Sequence, residues 1–189
     1  VPIRPTSGPS DPLLDSLYGQ VMRARRQWVE DHPERRQHLA RPVISVGNLS
    51  MGGTGKSPVV AAIAQWLVDH GERPAILSRG YKSVPRPLLL RLWDAAFKQK
   101  SVFAPRIVSD GNALLLDSRT AGDEPFMLAN NLRGVVVLVD PDRVTSGQYA
   151  IEHFGADTLL LDDGLQFVRM RHGIEIALID SQAPFGNEF

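Results

Sequence analysis

The 189-residue chain is 43% hydrophobic and 22% charged, with 21 basic against 21 acidic side chains and a formal net charge of zero. This is the make-up of a folded globular chain rather than a disordered one, and it exerts no global pull on nucleic acid, so no nucleic-acid partner is expected. The absence of cysteine excludes disulfides, thiolate metal sites and a cysteine nucleophile from these residues, and no run approaches the roughly 18 apolar residues of a membrane span.

Residues 1–10 are rich in Pro, Ser and Gly and read as a loose tail. Asp11-Pro12 then has the form of a helix start, a capping carboxylate followed by proline in the first turn. Leu13, Leu14, Leu17, Tyr18, Val21 and Met22 follow at helical spacing, with Arg23, Arg25 and Arg26 ahead of Trp28 and Val29. Such an amphipathic helix either packs on a domain core or lies on a membrane surface with its arginines towards anionic lipid. A charged linker, 31–41, separates it from the rest, so residues 1–41 are expected to stand apart from a core at 42–189.

That core opens with a β-branched strand at 42–46, a glycine-rich loop, a helix at 57–70 and a strand at 73–78, which together make a βαβ unit. Between 82 and 120 the pattern is poor. Residues 88–92, 106–108 and 113–116 could be strands and 93–98 a helical turn, without an evident order. Beyond this region a helix starts near Asp123, followed by a strand at 135–139, a helix at 142–154 and strands at 158–161 and 175–179. Continuous apolar strands alternating with helices predict an α/β fold of the P-loop NTPase kind, a mostly parallel sheet with helices on both faces.

The loop after the first strand reads Ser50-Met51-Gly52-Gly53-Thr54-Gly55-Lys56-Ser57. It fits the G-x-x-x-x-G-K-[ST] phosphate-binding pattern except that Ser50 replaces the first glycine. Glycines let successive backbone N–H groups turn into one concave nest at a helix N-terminus, where the helix dipole favours an anion. Lys56 would add a mobile positive charge for the outer phosphates, and the Ser57 hydroxyl can ligate Mg²⁺. A tight strand-to-helix turn would explain the glycines alone, but not Gly-Lys-Ser at the start of the helix. ATP with Mg²⁺ is the expected cofactor pair, held at Ser50 to Ser57.

Three apolar leucines run into Asp162-Asp163-Gly164. Because side chains alternate along a strand, one of the two carboxylates should reach the crevice at the strand's carboxyl end, as in a Walker B metal site. An Asp-Asp-Gly turn with purely local hydrogen bonds is the bland alternative, less favoured beside a P-loop. Asp140, in Asp-Pro-Asp, reads better as part of a capping turn. In Gly122-Asp123-Glu124-Pro125 the acids suit the first turn of a helix, while Asp123 could equally act as general base for an alcohol.

Taken in order, 42–49 running into the P-loop and Pro58, then Ser78-Arg79-Gly80-Tyr81, Gly122-Asp123-Glu124-Pro125, Asp140-Pro141-Asp142-Arg143 and Leu161-Asp162-Asp163-Gly164-Leu165-Gln166, the chain closely resembles the tetraacyldisaccharide 4′-kinases of lipid A biosynthesis. The resemblance runs from about Leu13 to Asn187 and corresponds to the N-terminal half, or somewhat more, of a typical member. It implies transfer of the ATP γ-phosphate to the 4′-hydroxyl of a tetraacylated glucosamine disaccharide 1-phosphate at the cytoplasmic face of a Gram-negative inner membrane. By the same resemblance Asp123 is the catalytic base, Lys56 and Ser57 are the P-loop lysine and hydroxyl, and Asp162 and Asp163 the metal-holding pair. Asn48, Arg79 and Tyr81 fall where the acceptor is expected. The partners implied are the lipid disaccharide and the membrane surface, with no protein partner.

The chain departs from the family at Phe167, where a histidine is usual. Neither end reads as a natural terminus, so a longer parent chain is expected, carrying the family's Arg-Glu-Pro motif and a later histidine that works with the base. His153 and His172 match neither and read as surface residues. Two other readings stay open on the residues alone: a P-loop kinase or ATPase with a different acceptor, and a nucleotide-dependent switch protein. If the first helix serves a membrane surface, removing residues 1–41 should reduce co-sedimentation with anionic liposomes. Equal sedimentation of the two forms would defeat that reading.

Overall fold

The computed structural model describes residues 27, 31–32, 36–48, 55–80, 83, 104–165, 167 and 169–179. The chain divides into two units, Val1–Arg36 and Gln37–Phe189. In the first, Gln27 and Asp31 are helical. The rest of the amphipathic helix lies outside the described residues, as do the expected elements at 88–92 and 93–98.

The second unit is built in the order β1 (Val43–Asn48), α1 (Lys56–Asp69), β2 (Pro74–Ser78), β3 (Arg106–Asp110), α2 (Ser118–Ala121), α3 (Asp123–Asn131), β4 (Val136–Val139), α4 (Arg143–Phe154), β5 (Thr158–Asp162) and β6 (Ile174–Leu178). The strands form one sheet in the order β3-β4-β2-β5-β1-β6. All neighbours pair in parallel except β3, which runs antiparallel to β4.

The two faces of the sheet follow from strand alternation. Ile76, Val137, Val139, Leu160 and Val46 pack with Val60, Ala64 and Leu67 of α1 and Leu128 and Ala129 of α3. The alternate residues Ala75, Leu77, Val136, Leu138, Leu159 and Leu161 pack with Val144 and Ala150 of α4, and with Leu39, Phe167 and Met170. β2, β4 and β5 are buried throughout. This is why they read as unbroken apolar runs rather than alternating ones.

Residues 113–116, which could have been a strand, contribute only an antiparallel bridge between Leu114 and Ser109. Leu114 and Leu115 are exposed, with no packed face to reward extension of the ladder. His172 also differs from its surface reading. Its side chain is largely buried, and its Nδ1 lies 2.7 Å from Glu175 Oε1.

The sheet arrangement decides where the chemistry can sit. The register pairs Val46 of β1 with Asp162 of β5, and Leu77 of β2 with Leu161. The carboxyl ends of these parallel strands therefore emerge side by side, at the edge where ligands bind in open α/β sheets.

Candidate active site

α1 begins directly at Lys56, with Gly55 as its N-terminal flank at φ 77°, a left-handed conformation that glycine adopts freely. Among the described residues no side chain caps this helix, and its first turn contains no acid, although a helix start normally attracts one. A helix start without an acid, preceded by glycine, suits an anion. Ser50, Met51, Gly52, Gly53 and Thr54, which would complete the nest, lie outside the described residues, as does Tyr81.

Lys56 is held from two directions. Its Nζ donates to Asn48 Oδ1 at 2.9 Å and to Asp163 Oδ1 at 3.1 Å. Asn48 ends β1 and Asp163 follows β5, so the lysine bridges the ends of two adjacent strands. Asp163 has φ 57°, unusual for a residue with a Cβ but tolerated by aspartate. The chain must turn there at once, because Gly164 lies so close to β1 that a Cβ on it would run into Ser45 Oγ and Leu161 Cβ.

Asp162 is in a different environment. Only 2% exposed, it accepts from Ser78 Oγ on the neighbouring strand at 3.4 Å, while its Oδ1 is buried without a hydrogen-bond partner. Burial pushes its pKa up to about 6, helped by the nearby charges of Glu124 and Asp163 and opposed by Lys56. A buried carboxylate with an unused oxygen among other acids has a high affinity for a proton or a cation. Among the described residues no three acidic or histidine side chains could by themselves hold a metal ion. The free Oδ1 of Asp162 and the partly exposed carboxylate of Asp163 are donors of the kind that Mg²⁺ takes, one or two carboxylates beside waters and phosphate oxygens.

Two further residues join the site that sequence reasoning did not assign. Glu124 lies in the first turn of α3 beside Asp123, and its charge bears on Asp162. In the sequence it fits the ordinary pattern of acids at a helix start. Arg143 opens α4 and is 5% exposed, although a cation at a helix N-terminus is electrostatically misplaced. Its Cζ lies 4.3 Å from the centroid of the Phe167 ring. Burial and the charge of Arg79 lower its pKa to about 10, with Asp163, Asp162 and Asp142 acting the other way. A basic residue straight after the capping Asp142 was the available sequence signal.

Asp140 and Asp142 do serve as turn and cap, accepting from Asp142 N at 2.7 Å and Val144 N at 3.2 Å. Asp123 is exposed at the start of α3. Arg79 is exposed just after β2, close enough to Arg143 for the two charges to interact. Asn48, expected at the acceptor, accepts from Lys56 Nζ.

The family model for tetraacyldisaccharide-1-P 4′-kinase matches residues 12–189. The chain is 42% identical over 174 residues to the tetraacyldisaccharide 4′-kinase of Desulfotalea psychrophila, covering 92% of this chain and 45% of that protein. It is 40% identical over 172 residues to the enzyme of the same name from Geobacter sulfurreducens, covering 91% and 44%. It also superposes on a crystal structure of LpxK from Aquifex aeolicus, described as an "apo" form in complex with ATP, with a TM-score of 0.75 and 32% identity over 90% of this chain and 48% of that one. The chain thus spans about half the length of the relatives it matches.

The raised pKa of Asp162 makes a stability prediction. The folded chain holds this proton more tightly than the unfolded one, so the contribution is present in full below pH 3.8 and is lost as pH rises through about 6. Asp162→Asn should therefore raise the melting temperature of the nucleotide-free chain at pH 7.5, by the equivalent of about 1–3 kcal/mol, and much less at pH 4. An equal effect at both values would show that the carboxylate is not strained. Asn48, Lys56, Asp162 and Asp163 thus converge at the strand ends in a chain that belongs to the tetraacyldisaccharide 4′-kinase family.

Proposed function

We propose that this chain is the nucleotide-binding part of a tetraacyldisaccharide 4′-kinase. It would bind ATP with Mg²⁺ and direct the γ-phosphate to the 4′-hydroxyl of a tetraacylated glucosamine disaccharide 1-phosphate in lipid A biosynthesis. The observation that carries this reading is the position of Lys56, held between Asn48 and Asp163 at a helix start without an acid, beside the buried Asp162.

Each group has a chemical role on this reading. The N–H groups around Gly55 and the preceding 50–54 loop receive the phosphates. Lys56 gives up its bond to Asp163 and turns its ammonium to the phosphate oxygens, exchanging one anion for another. Ser57, Asp162 and Asp163, with Glu124 nearby, would hold Mg²⁺, which when bound shields the phosphate charge. Asp123 takes the proton of the 4′-hydroxyl as its oxygen bonds to the γ-phosphorus, and the bond from that phosphorus to the ADP oxygen breaks. Exposure suits Asp123 to this role, because the acceptor reaches the site from outside.

Asn48, Arg79 and Tyr81 are the residues assigned to the acceptor. Their cationic and hydrogen-bonding chemistry suits a phosphorylated sugar. Because the acceptor is a lipid, the reaction belongs at a membrane surface, which the reading places at the cytoplasmic face of the inner membrane. Among the described residues no helix is long and apolar enough to cross a membrane. On this reading the amphipathic helix expected within residues 11–29 provides surface attachment.

The 189-residue chain should bind Mg²⁺–ATP while transferring little phosphate by itself. Lys56→Ala should weaken binding by roughly tenfold or more, the value of a lost charge-assisted contact. Asp123→Ala should leave affinity nearly unchanged. In a chain extended by the second half found in the relatives, ATP consumption should depend on the lipid disaccharide and fall roughly a hundredfold or more with Asp123→Ala. Consumption indifferent to the disaccharide would contradict the proposal.

A further inference from the structure

The ring of Phe167 carries Arg143. The guanidinium Cζ is 4.3 Å from the ring centroid, and both residues are almost fully buried, at 5% and 7% exposure. One of the Arg143 donors is unused: its Nε is buried without a hydrogen-bond partner, and the residue sits in the first turn of α4, where the helix dipole repels a cation. Arg79 also repels it, so the favourable charges are those of Asp162, Asp163 and Asp142. A buried guanidinium that lacks hydrogen bonds at Nε needs another surface to fix its orientation, and an aromatic face provides one.

The ring is itself held in place. Phe167 N donates to Gly164 O at 2.8 Å, and Gly164 is wedged against Ser45 and Leu161. The side chain belongs to the apolar cluster of Leu39, Val43 and Met170. Two residues on, Arg169 Nη1 lies 3.6 Å from Oδ2 of Asp142, the cap of α4. The segment that follows the acid pair thus closes on the start of α4 at two points, one of them the ring.

We propose that Phe167 is a positioning residue. Its ring holds the Arg143 guanidinium in the field of Asp162 and Asp163, so that the arginine's charge is ready for the outer phosphates of the nucleotide. This rests on the reading of the crevice as an ATP site and goes beyond it by assigning a task to Phe167.

The test is a double-mutant cycle on the 189-residue chain, with Mg²⁺–ATP binding measured by calorimetry and folding followed by thermal melting. Phe167→Leu and Phe167→Met, apolar replacements of different volume without a ring face, should each weaken binding about tenfold. Phe167→Tyr should restore it to within about twofold. In an Arg143→Ala background, itself weakened, neither apolar replacement should weaken binding further, although both should lower the melting temperature in either background. Equal weakening with and without Arg143 would make the ring merely structural and overturn the inference. Binding by Arg143→Ala as tight as by the parent would overturn it while leaving the ATP reading intact. A parent chain that failed to bind Mg²⁺–ATP would remove the ATP reading itself, and this inference with it.

Discussion

The contact on which the rest depends is the bond from Lys56 to Asp163. The two residues are 107 positions apart, and they meet at 3.1 Å only because β1 and β5 lie side by side in parallel with Val46 opposite Asp162. As a partly exposed ion pair it contributes about 1 kcal/mol or less to stability. Its importance lies in placement. It identifies the start of α1 and the end of β5 as walls of one crevice, and it gives the lysine an anion to hold when no phosphate is there. Asn48 takes a second N–H of the same ammonium, so the group is already aimed at the crevice rather than lost to solvent.

The acid pair illustrates how one dipeptide acquires two characters. Asp162 is still in the ladder of β5, and its side chain is buried, poorly hydrated and short of partners. Asp163 is one residue beyond, in a left-handed turn forced by the tight seat of Gly164, and is wet enough to pair with Lys56. The first holds its charge at a cost that a cation would relieve, and the second is ready to exchange partners. The surrounding apolar layers, Leu159, Leu160 and Leu161 among them, tolerate that cost because they are buried on both faces of the sheet. A strained polar group on a well-packed frame is a common way for a site to store a preference for its ligand.

Much of this was legible in the sequence. The buried strands announced themselves as runs such as Val136–Val139, and α1 and α4 fell within a residue or two of their expected limits. The glycine-lysine-serine start of α1 and the Asp-Asp pair were evident as motifs, because their chemistry is written in consecutive residues. What stayed hidden was adjacency across the sheet. Nothing local shows that Glu124 bears on Asp162, or that Asn48 reaches Lys56, because both follow from which strands and helices are neighbours. Arg143 was masked by its own cap, and Phe167 by looking like any core aromatic. The strand that 113–116 could have formed stops at a bridge, because period and propensity do not register that Leu114 and Leu115 are left exposed.

The central claim is that Lys56 and the acid pair together form the seat of a triphosphate. It is tested most directly by a crystal structure of this chain with Mg²⁺ and a non-hydrolysable ATP analogue. The account predicts that Lys56 Nζ will have left Asp163 for the outer phosphate oxygens, above the N-terminus of α1. A nucleotide bound elsewhere, with the contact between Lys56 and Asp163 intact, would contradict it.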